Sequence, residues 1–137
     1  MAKILFIQIS SYELNSFQAL SALLKKNGHA TEVFSLALEK YDKLNKILNA
    51  WKPDIVGFTV TSFDYLNILS LSREIKKSIS HKMHLVIGGP HAIISPAELI
   101  AEPAVDSVCV CEGEYVLNEL SDAIDSGGRI DDIQGLW

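Results

Sequence analysis

The sequence LVIGGPH at residues 85–91 decides the fold of this chain. Its short apolar run, residues 85–87, is typical of a strand that is covered on both faces of a parallel sheet. Gly88 and Gly89 then leave the backbone bare at the carboxyl end of that strand, and Pro90 stiffens the exit. Ligands of open parallel sheets bind at the carboxyl ends of the strands. The stretch therefore predicts an α/β fold with a ligand site at residues 88–91, and a tight turn without a ligand is the alternative explanation.

Apolar runs alternate with helical periodicity on both sides of this stretch. The predicted strands are residues 4–9, 31–36, 55–60, 84–87 and 107–110. Helices are predicted at residues 13–27, at 39–51, after Asp64, after Ser95 and at 114–126. Five βα units in one short chain predict a three-layer αβα Rossmann-like (flavodoxin-like) fold. Right-handed crossovers and this length favour a parallel five-stranded sheet in the order 2-1-3-4-5, with the partly polar second strand at an edge.

Several local signals mark the ends of the helices. Asp64 is a candidate N-cap, and Ser95 with Glu98 forms a capping-box pattern before a short helix. Gly28 and Gly127 are predicted to end the first and last helices in the left-handed conformation.

Composition limits the class of protein. The chain has 137 residues, with 48% apolar residues and a net charge of −5, which suits one domain with a real core and does not suit nucleic-acid binding. No apolar run approaches the roughly 20 residues of a membrane span, and no signal-peptide layout is present, so a cytoplasmic location is expected. Cys109 and Cys111 are interpreted as reduced, buried structural cysteines. The three other histidines are expected at the surface: His29, His81 and His84.

The sequence motifs of several familiar functions of this fold are absent from this chain. The first strand ends without acidic residues and the third ends Thr59-Val60-Thr61, so the aspartates of a phosphorelay receiver are absent. The loop after the first strand has no glycine for a flavin phosphate, and neither a GxGxxG fingerprint nor a Walker loop occurs. No nucleophile-His-acid arrangement is evident, so the sequence gives hydrolase chemistry no support.

Polar residues cluster at the predicted ligand edge, over the carboxyl ends of the first and third strands. They are Ser10, Ser11, Thr59, Thr61 and Ser62. Loops are polar in most proteins, which is the alternative explanation. Glu112-Gly113-Glu114 opens the last helix, where the carboxylates either complement the helix dipole or accept hydrogen bonds from ligand amides or a neighbouring domain. His91 is a candidate metal ligand or general base, but no acid stands beside it in sequence.

Nearly the whole chain resembles the N-terminal cobalamin-binding domain of cobalamin-dependent radical S-adenosylmethionine (SAM) enzymes. The residues that carry the resemblance are KILF at 3–6, PDIVGFT at 53–59, VIGGPHA at 86–92, SP at 95–96, EPAVD at 102–106, EGE at 112–114 and IQGL at 133–136. The arrangement of GGPHA followed by EGE is more specific than any single piece.

The resemblance implies that the corrin of cobalamin lies against the strand-end loops, with its dimethylbenzimidazole tail in the crevice. The implied cofactor-binding residues are Ser10, Ser11, Tyr12, Glu13, Leu14, Thr59, Thr61, Ser62, Phe63, Gly88, Gly89, Pro90, His91, Glu112, Gly113 and Glu114. Related cobalamin enzymes carry DxHxxG after the first strand, and its His binds cobalt. Residues 10–15 read SSYELN instead, so base-off binding without a His ligand from this loop is expected.

The resemblance also implies a parent enzyme, expected to be a methyltransferase, in which this domain carries the cofactor and is not catalytic alone. Residues 1–128 would form the cobalamin domain, and 129–137 would begin a linker to a radical SAM domain that this chain lacks. The [4Fe-4S] cluster and SAM would belong to that domain, since the CxxxCxxC motif is absent here. Two alternatives stay open: an interaction domain that has lost cofactor binding, and a flavodoxin-like nucleotide-binding protein.

Overall fold

The structure is a computed structural model that describes residues 1–10 and 15–137. Its strands are β1 (Lys3–Gln8), β2 (Ala30–Ser35), β3 (Ile55–Thr59), β4 (His84–Gly88) and β5 (Ser107–Val108). Its helices are α1 (Asn15–Lys26), α2 (Tyr41–Trp51), α3 (Tyr65–Ser78), α4 (Pro90–Ile94), α5 (Pro96–Ile100) and α6 (Gly113–Ser126).

The five strands form one parallel sheet in the order β2-β1-β3-β4-β5, which confirms the predicted topology. The predicted edge position of β2 is also confirmed. In β3 the register places Phe58 beside Ile7 of β1 and beside Ile87 of β4. All three carboxyl ends therefore lie at the same edge of the sheet, which is the edge predicted to bind a ligand.

Helices cover both faces of the sheet, giving the predicted three layers. On one face, Ile4 and Phe6 of β1 pack with apolar residues of α1 and α6, such as Leu24 and Leu120. On the other, the alternate residues of β1 pack with α2 and α3 and with the short α4 and α5. Alternate side chains of a strand point to opposite faces, so near-continuous apolar strands are what two covered faces require.

The ends of several elements differ from the sequence prediction. The short helix α4 was not predicted, and β5 is two residues long instead of four. The Asp64 side chain accepts a hydrogen bond from the backbone N–H of Thr61, upstream of α3, at 2.7 Å and does not cap the helix. Ser95 makes no side-chain cap either, because its backbone (φ −140°, ψ 60°) is shared by the end of α4 and the start of α5.

The predicted glycine stops are confirmed, since Gly28 (φ 90°) follows α1 and Gly127 (φ 68°) ends α6. The surface prediction for the histidines is wrong for His29, which is 6% exposed. Its Nδ1 accepts from the backbone N–H of Ala2 at 3.2 Å, and its Nε2 pairs with Asp122 at 3.0 Å. His29 thus ties β1 to α6. His81 and His84 are half-buried, not surface residues.

The last residues of the chain pair with the outer edge of β5. The backbone of Val108 exchanges two hydrogen bonds with Trp137, at 2.8 and 2.9 Å, and Val110 donates to Gly135 at 2.8 Å. The pairing is antiparallel, and Ile133 is buried in the core between the sheet, α1 and α6. This segment therefore covers a strand edge that would otherwise be open.

Within the part of the chain that the structure describes, no helix has the length and apolar character needed to cross a membrane.

Truncating Ile133 tests whether the C-terminal segment contributes to the fold. Because its side chain is only 8% exposed, Ile133→Ala is expected to lower the free energy of unfolding by about 2–3 kcal/mol in urea denaturation. Ile94→Ala removes the same atoms from a residue that is 74% exposed, and is expected to change stability by less than about 0.5 kcal/mol. Equal effects of the two variants would show that the segment is not part of the cooperative unit.

Candidate functional site

A cavity of about 330 Å³ opens at the carboxyl edge of the sheet, between the sheet and the layer of α1 and α6. Its floor comes from β1, β3 and β4 (Phe6, Gly57, Phe58, Thr59, Val86 and Gly88). Its walls come from the two helices and the strand-end loops (Ser16, Phe17, Leu20, Gly89, Pro90, Ile93, Cys109, Cys111, Gly113, Glu114 and Leu117). The volume lies at the lower end of the range of roughly 300–1,000 Å³ for small-molecule sites, and the lining is mostly apolar.

Glycines line the cavity and let neighbouring side chains pack closely around it. A Cβ on Gly57 would lie 3.0 Å from the Phe6 ring, and one on Gly113 would lie 3.4 Å from Leu20. At Gly88 an added Cβ would make only ordinary contact, 3.6 Å from the Cβ of Cys109. Three elements thus present bare backbone towards one space, as a flat ring pressed against a sheet would require.

Gly88 and Gly89, adjacent in the sequence, differ in what they do. Gly89 has φ +99°, and a Cβ there would lie 2.5 Å from Thr59 Oγ1 and 2.8 Å from the Val60 nitrogen. The turn explanation is therefore correct for Gly89, which the backbone requires. Gly88 has neither constraint, so its missing side chain serves the cavity.

The predicted polar cluster is only partly brought together. Thr59 lines the cavity, while Thr61 and Ser62 are exposed on the loop between β3 and α3. Ser10 is half-buried, and its carbonyl accepts from the Gln8 side chain at 3.0 Å. The predictions for Ser11, Tyr12, Glu13 and Leu14 lie outside the described residues.

His91 turns away from the cavity, although Gly89 and Pro90 before it line that space. The imidazole is 8% exposed and lies between α3 and α5. Its Nδ1 is 3.0 Å from Ser62 Oγ, and its Nε2 is 3.2 Å from Glu98 Oε2. The Tyr65 ring stacks on the imidazole with centroids 4.3 Å apart. Both nitrogens that a metal ion would use are already engaged.

The expectation that no nucleophile-His-acid arrangement exists was wrong, because Ser62, His91 and Glu98 form one in space. The arrangement is not visible in the sequence, because Glu98 follows His91 by seven residues and Ser62 precedes it by 29 residues. Serine hydrolases bind the acid at Nδ1 and the serine at Nε2. In this chain the serine lies at Nδ1 and the acid at Nε2, which is the opposite arrangement.

The two cysteines have different environments. Cys109 is 3% exposed, as expected, and its thiol donates to the Cys111 carbonyl at 3.3 Å. Burial raises the pKa of the Cys109 thiol to about 11. The prediction that Cys111 is buried is wrong: it is exposed, because β5 ends at Val108 and Cys111 falls in the following turn. Both are free thiols that line the cavity.

The acidic residues at the start of α6 divide between two roles. Glu114 lies in the first turn and lines the cavity, whereas Glu112 is exposed outside it, and neither makes a side-chain cap. Their charges complement the helix dipole in either case. Gly113 between them lets Leu20 of α1 approach.

Exposed apolar side chains are another feature of the loops and helix starts that follow β3, β4 and β5. Phe63 is fully exposed, and the others are Leu66, Ile93, Ile94 and Tyr115, each 59–77% exposed. Large exposed apolar residues in a group are a sign of a surface that another molecule or domain covers.

Sequence reasoning missed the helical wall of the cavity, namely Phe17, Leu20 and Leu117. Their helical spacing indicated only core positions, which is also what they are. Gly57 was the available signal, because a glycine inside a buried strand indicates a close approach to the backbone. Among the described residues, no group of three His, Cys, Asp or Glu side chains is placed to hold a metal ion.

Comparison with protein families gives a match over most of the chain. The family model described as B12 binding domain matches residues 14–121. An uncharacterized methyltransferase of Pyrococcus horikoshii is 34% identical over 97 residues, which are 70% of this chain and 21% of that protein. The anaerobic magnesium-protoporphyrin IX monomethyl ester cyclase of Rubrivivax gelatinosus is 30% identical over 79% of this chain and 20% of its own length.

Solved structures share the fold. One is the radical SAM methyltransferase TsrM of Kitasatospora setae, solved with tryptophan and a SAM analogue bound. The match covers 99% of this chain and 28% of the TsrM chain, with a TM-score of 0.87 and 20% sequence identity. The cobalamin-dependent SAM radical enzyme OxsB, with aqua-cobalamin and SAM, matches 99% of this chain and 20% of its own with a TM-score of 0.78 at 21% identity. The chain spans about a fifth of the length of the curated relatives it matches.

Substituting Gly88 and Gly89 one at a time tests whether the turn requires only Gly89. Gly89→Ala is expected to lower the free energy of unfolding by about 2–4 kcal/mol, because alanine there combines a left-handed φ with a clash against Thr59 and Val60. Gly88→Ala is expected to stay within about 1 kcal/mol of the original chain, since its Cβ makes an ordinary contact. Urea denaturation of both variants measures the difference, and similar losses would contradict the separation.

Alkylation by iodoacetamide at pH 8 tests the two thiol environments. The thiolate is the reactive form, so the raised pKa and the burial of Cys109 are expected to make it react far more slowly at pH 8 than the exposed Cys111. Peptide mass spectrometry is therefore expected to find one adduct, on Cys111, in the native chain and two in urea. An adduct on native Cys109 at pH 8 would contradict the burial.

Proposed function

Because the chain belongs to the B12-binding domain family, we propose that it binds cobalamin at the carboxyl edge of its sheet. The observation that carries the proposal is the apolar cavity with its glycine floor, at the point where GGPHA and EGE converge. Of the residues implied by the resemblance, Thr59, Gly88, Gly89, Pro90, Gly113 and Glu114 line that cavity.

The cavity would receive the nucleotide tail of the cofactor. Its apolar helical wall and bare backbone suit a flat dimethylbenzimidazole ring, while Thr59 and Glu114 offer polar atoms for the ribose of the tail. The corrin would then lie over the edge, against the exposed loop with Thr61, Ser62 and Phe63. The cofactor supplies an alkyl-carrying cobalt centre, and this chain supplies binding and orientation.

Base-off binding without a His ligand from the first loop is part of the proposal. The SSYELN loop has no histidine, and His91 is held by Ser62 and Glu98. With the tail in the cavity, its benzimidazole would be drawn away from cobalt. The lower face of the cobalt would then face protein side chains or solvent.

The parent protein is proposed to be a radical SAM methyltransferase. Support comes from the 34% identity to an uncharacterized methyltransferase and from the match to a hopanoid C-3 methylase of Methylococcus capsulatus at 26% identity. In that role bound cobalamin would supply methyl carriage, and this chain would bind and orient the cofactor. A separate domain would hold the [4Fe-4S] cluster and SAM and would form the substrate radical. A cytoplasmic location belongs to the same proposal, and the separate domain would follow the segment at residues 129–137, which packs on β5.

The alternative of an interaction domain that has lost its cofactor predicts side chains filling the crevice between Ser11 and Ser62, and Ser11 lies outside the described residues. An open cavity of about 330 Å³ in the described part of the chain favours cofactor binding over that alternative. A flavodoxin-like nucleotide-binding protein would be stabilised against heat by flavin or nucleotide and not by cobalamin.

Titration with hydroxocobalamin tests the proposal. The original chain is expected to shift the visible spectrum of the cofactor and to elute from gel filtration coloured. Gly88→Val places an isopropyl group where only a hydrogen stands at the cavity floor, and is expected to weaken binding at least about tenfold. Ala50→Val, on the exposed end of α2 at the opposite edge, is the matched control. A spectrum of free cofactor and a colourless protein would refute cobalamin binding.

Electron paramagnetic resonance of bound cob(II)alamin tests the coordination. Base-off binding without a protein histidine leaves cobalt with only the ring nitrogens of the corrin, so the spectrum is expected to lack the superhyperfine splitting that a histidine or benzimidazole nitrogen produces. Splitting that changes when the protein is labelled with ¹⁵N would identify a protein ligand and contradict the absence of one. Splitting that is unaffected by the label would show that the tail still binds cobalt.

A further inference from the structure

Ser62, His91 and Glu98 connect three separate segments at the carboxyl edge. Ser62 lies on the loop between β3 and α3, His91 in α4, and Glu98 in α5. The two hydrogen bonds, 3.0 and 3.2 Å long, run through the buried imidazole and end at an exposed hydroxyl. Ser62 belongs to the loop against which the corrin is proposed to lie, while the residues that support its hydroxyl lie beneath that loop.

Glu98 determines which atom donates and which accepts in the two hydrogen bonds of His91. A carboxylate only accepts hydrogen bonds, so the Nε2 of His91 must carry a proton and donate it. In the neutral ring, Nδ1 is then a bare acceptor and takes the single O–H of Ser62. With its proton committed inward, Ser62 presents only lone pairs to the outside.

Tyr65 holds the same arrangement from the side. Its ring stacks on the imidazole, and its hydroxyl donates to the second oxygen of Glu98 at 3.3 Å. The negative charge of Glu98 raises the pKa of the Tyr65 hydroxyl. Both carboxylate oxygens are therefore engaged away from Ser95, the residue that the capping-box pattern predicted as their partner.

We propose that Glu98 and His91 are positioning residues that fix the Ser62 hydroxyl as a hydrogen-bond acceptor for a carboxamide N–H of the corrin. The corrin carries primary carboxamides around its rim, and their N–H groups need acceptors when the ring lies on a protein surface. This inference rests on the proposed cobalamin binding. It assigns to His91 the orientation of a ligand-binding hydroxyl, with no contact to cobalt.

The tautomer of His91 is the first test, and it requires no cofactor. Long-range ¹H–¹⁵N spectra of the ¹⁵N-labelled chain, at a pH where the ring is neutral, are expected to show a pyridine-like Nδ1 and a protonated Nε2. Glu98→Ala removes the acceptor and is expected to reduce that preference to the smaller one that a free neutral imidazole shows for the same tautomer. A pyridine-like Nε2 in the original chain would overturn the proposal.

Affinity for hydroxocobalamin is the second test. Ser62→Ala is expected to weaken binding about three- to tenfold, the worth of one neutral hydrogen bond. Glu98→Ala is expected to weaken binding by a similar factor when Ser62 is present and to have no effect in the Ser62→Ala background. Glu98→Gln keeps an acceptor oxygen and is expected to restore part of the affinity.

Controls separate the proposal from a loss of structure. Ser70 lies at an exposed position of α3, and Glu32 lies at an exposed position of β2. Ser70→Ala and Glu32→Ala therefore remove a hydroxyl and a carboxylate away from the site, and are expected to leave the affinity for cobalamin unchanged. If Glu98→Ala weakens binding equally in both backgrounds, Glu98 acts on the fold or on the cofactor directly and the proposal fails. It also fails if Ser62→Ala binds normally. If the original chain binds no cobalamin, the proposed function fails instead, together with the ligand part of this inference.

Discussion

The carboxyl edge of the sheet depends on one backbone interlock between the ends of β3 and β4. The Val60 N–H donates to the Gly88 carbonyl at 2.8 Å, and the His91 N–H donates to the Val60 carbonyl at 3.1 Å. The interlock closes only because Gly89 has no Cβ and adopts φ +99°. It turns the chain sharply after β4, so that Gly88 faces one layer of helices and His91 the other.

The two sides of the interlock differ in chemistry because of this turn. On the side of α1 and α6, bare backbone and apolar side chains leave a cavity. On the side of α3 and α5, the buried imidazole forms a polar network that joins three segments. A buried polar network of this kind is favourable only when every member is satisfied, and here both ring nitrogens and both Glu98 oxygens have partners.

The fold could be predicted from the sequence because its evidence is spread over many residues. Five apolar runs with helical spacing between them allow few topologies, and right-handed crossovers leave the observed strand order. Stops at Gly28 and Gly127 are local and were also predicted correctly. The errors fall where a tertiary partner overrides a local pattern. Asp64 and Glu98 look like helix-capping residues in sequence, yet each bonds a group outside its own helix.

The site was only half predictable, for a related reason. Gly88, Gly89 and Pro90 signal the end of a strand at the ligand edge, but they do not show that the turn requires Gly89 while Gly88 serves the cavity. The direction of the His91 side chain depends on the φ angle of the glycine two residues before it, which no sequence pattern gives. Once that angle is set, a residue that resembles a metal ligand becomes a support for a hydroxyl. The Gly-Gly-Pro-His sequence therefore contains two functions on either side of one turn. The first glycine leaves space in the cavity, and the histidine supports the Ser62 hydroxyl.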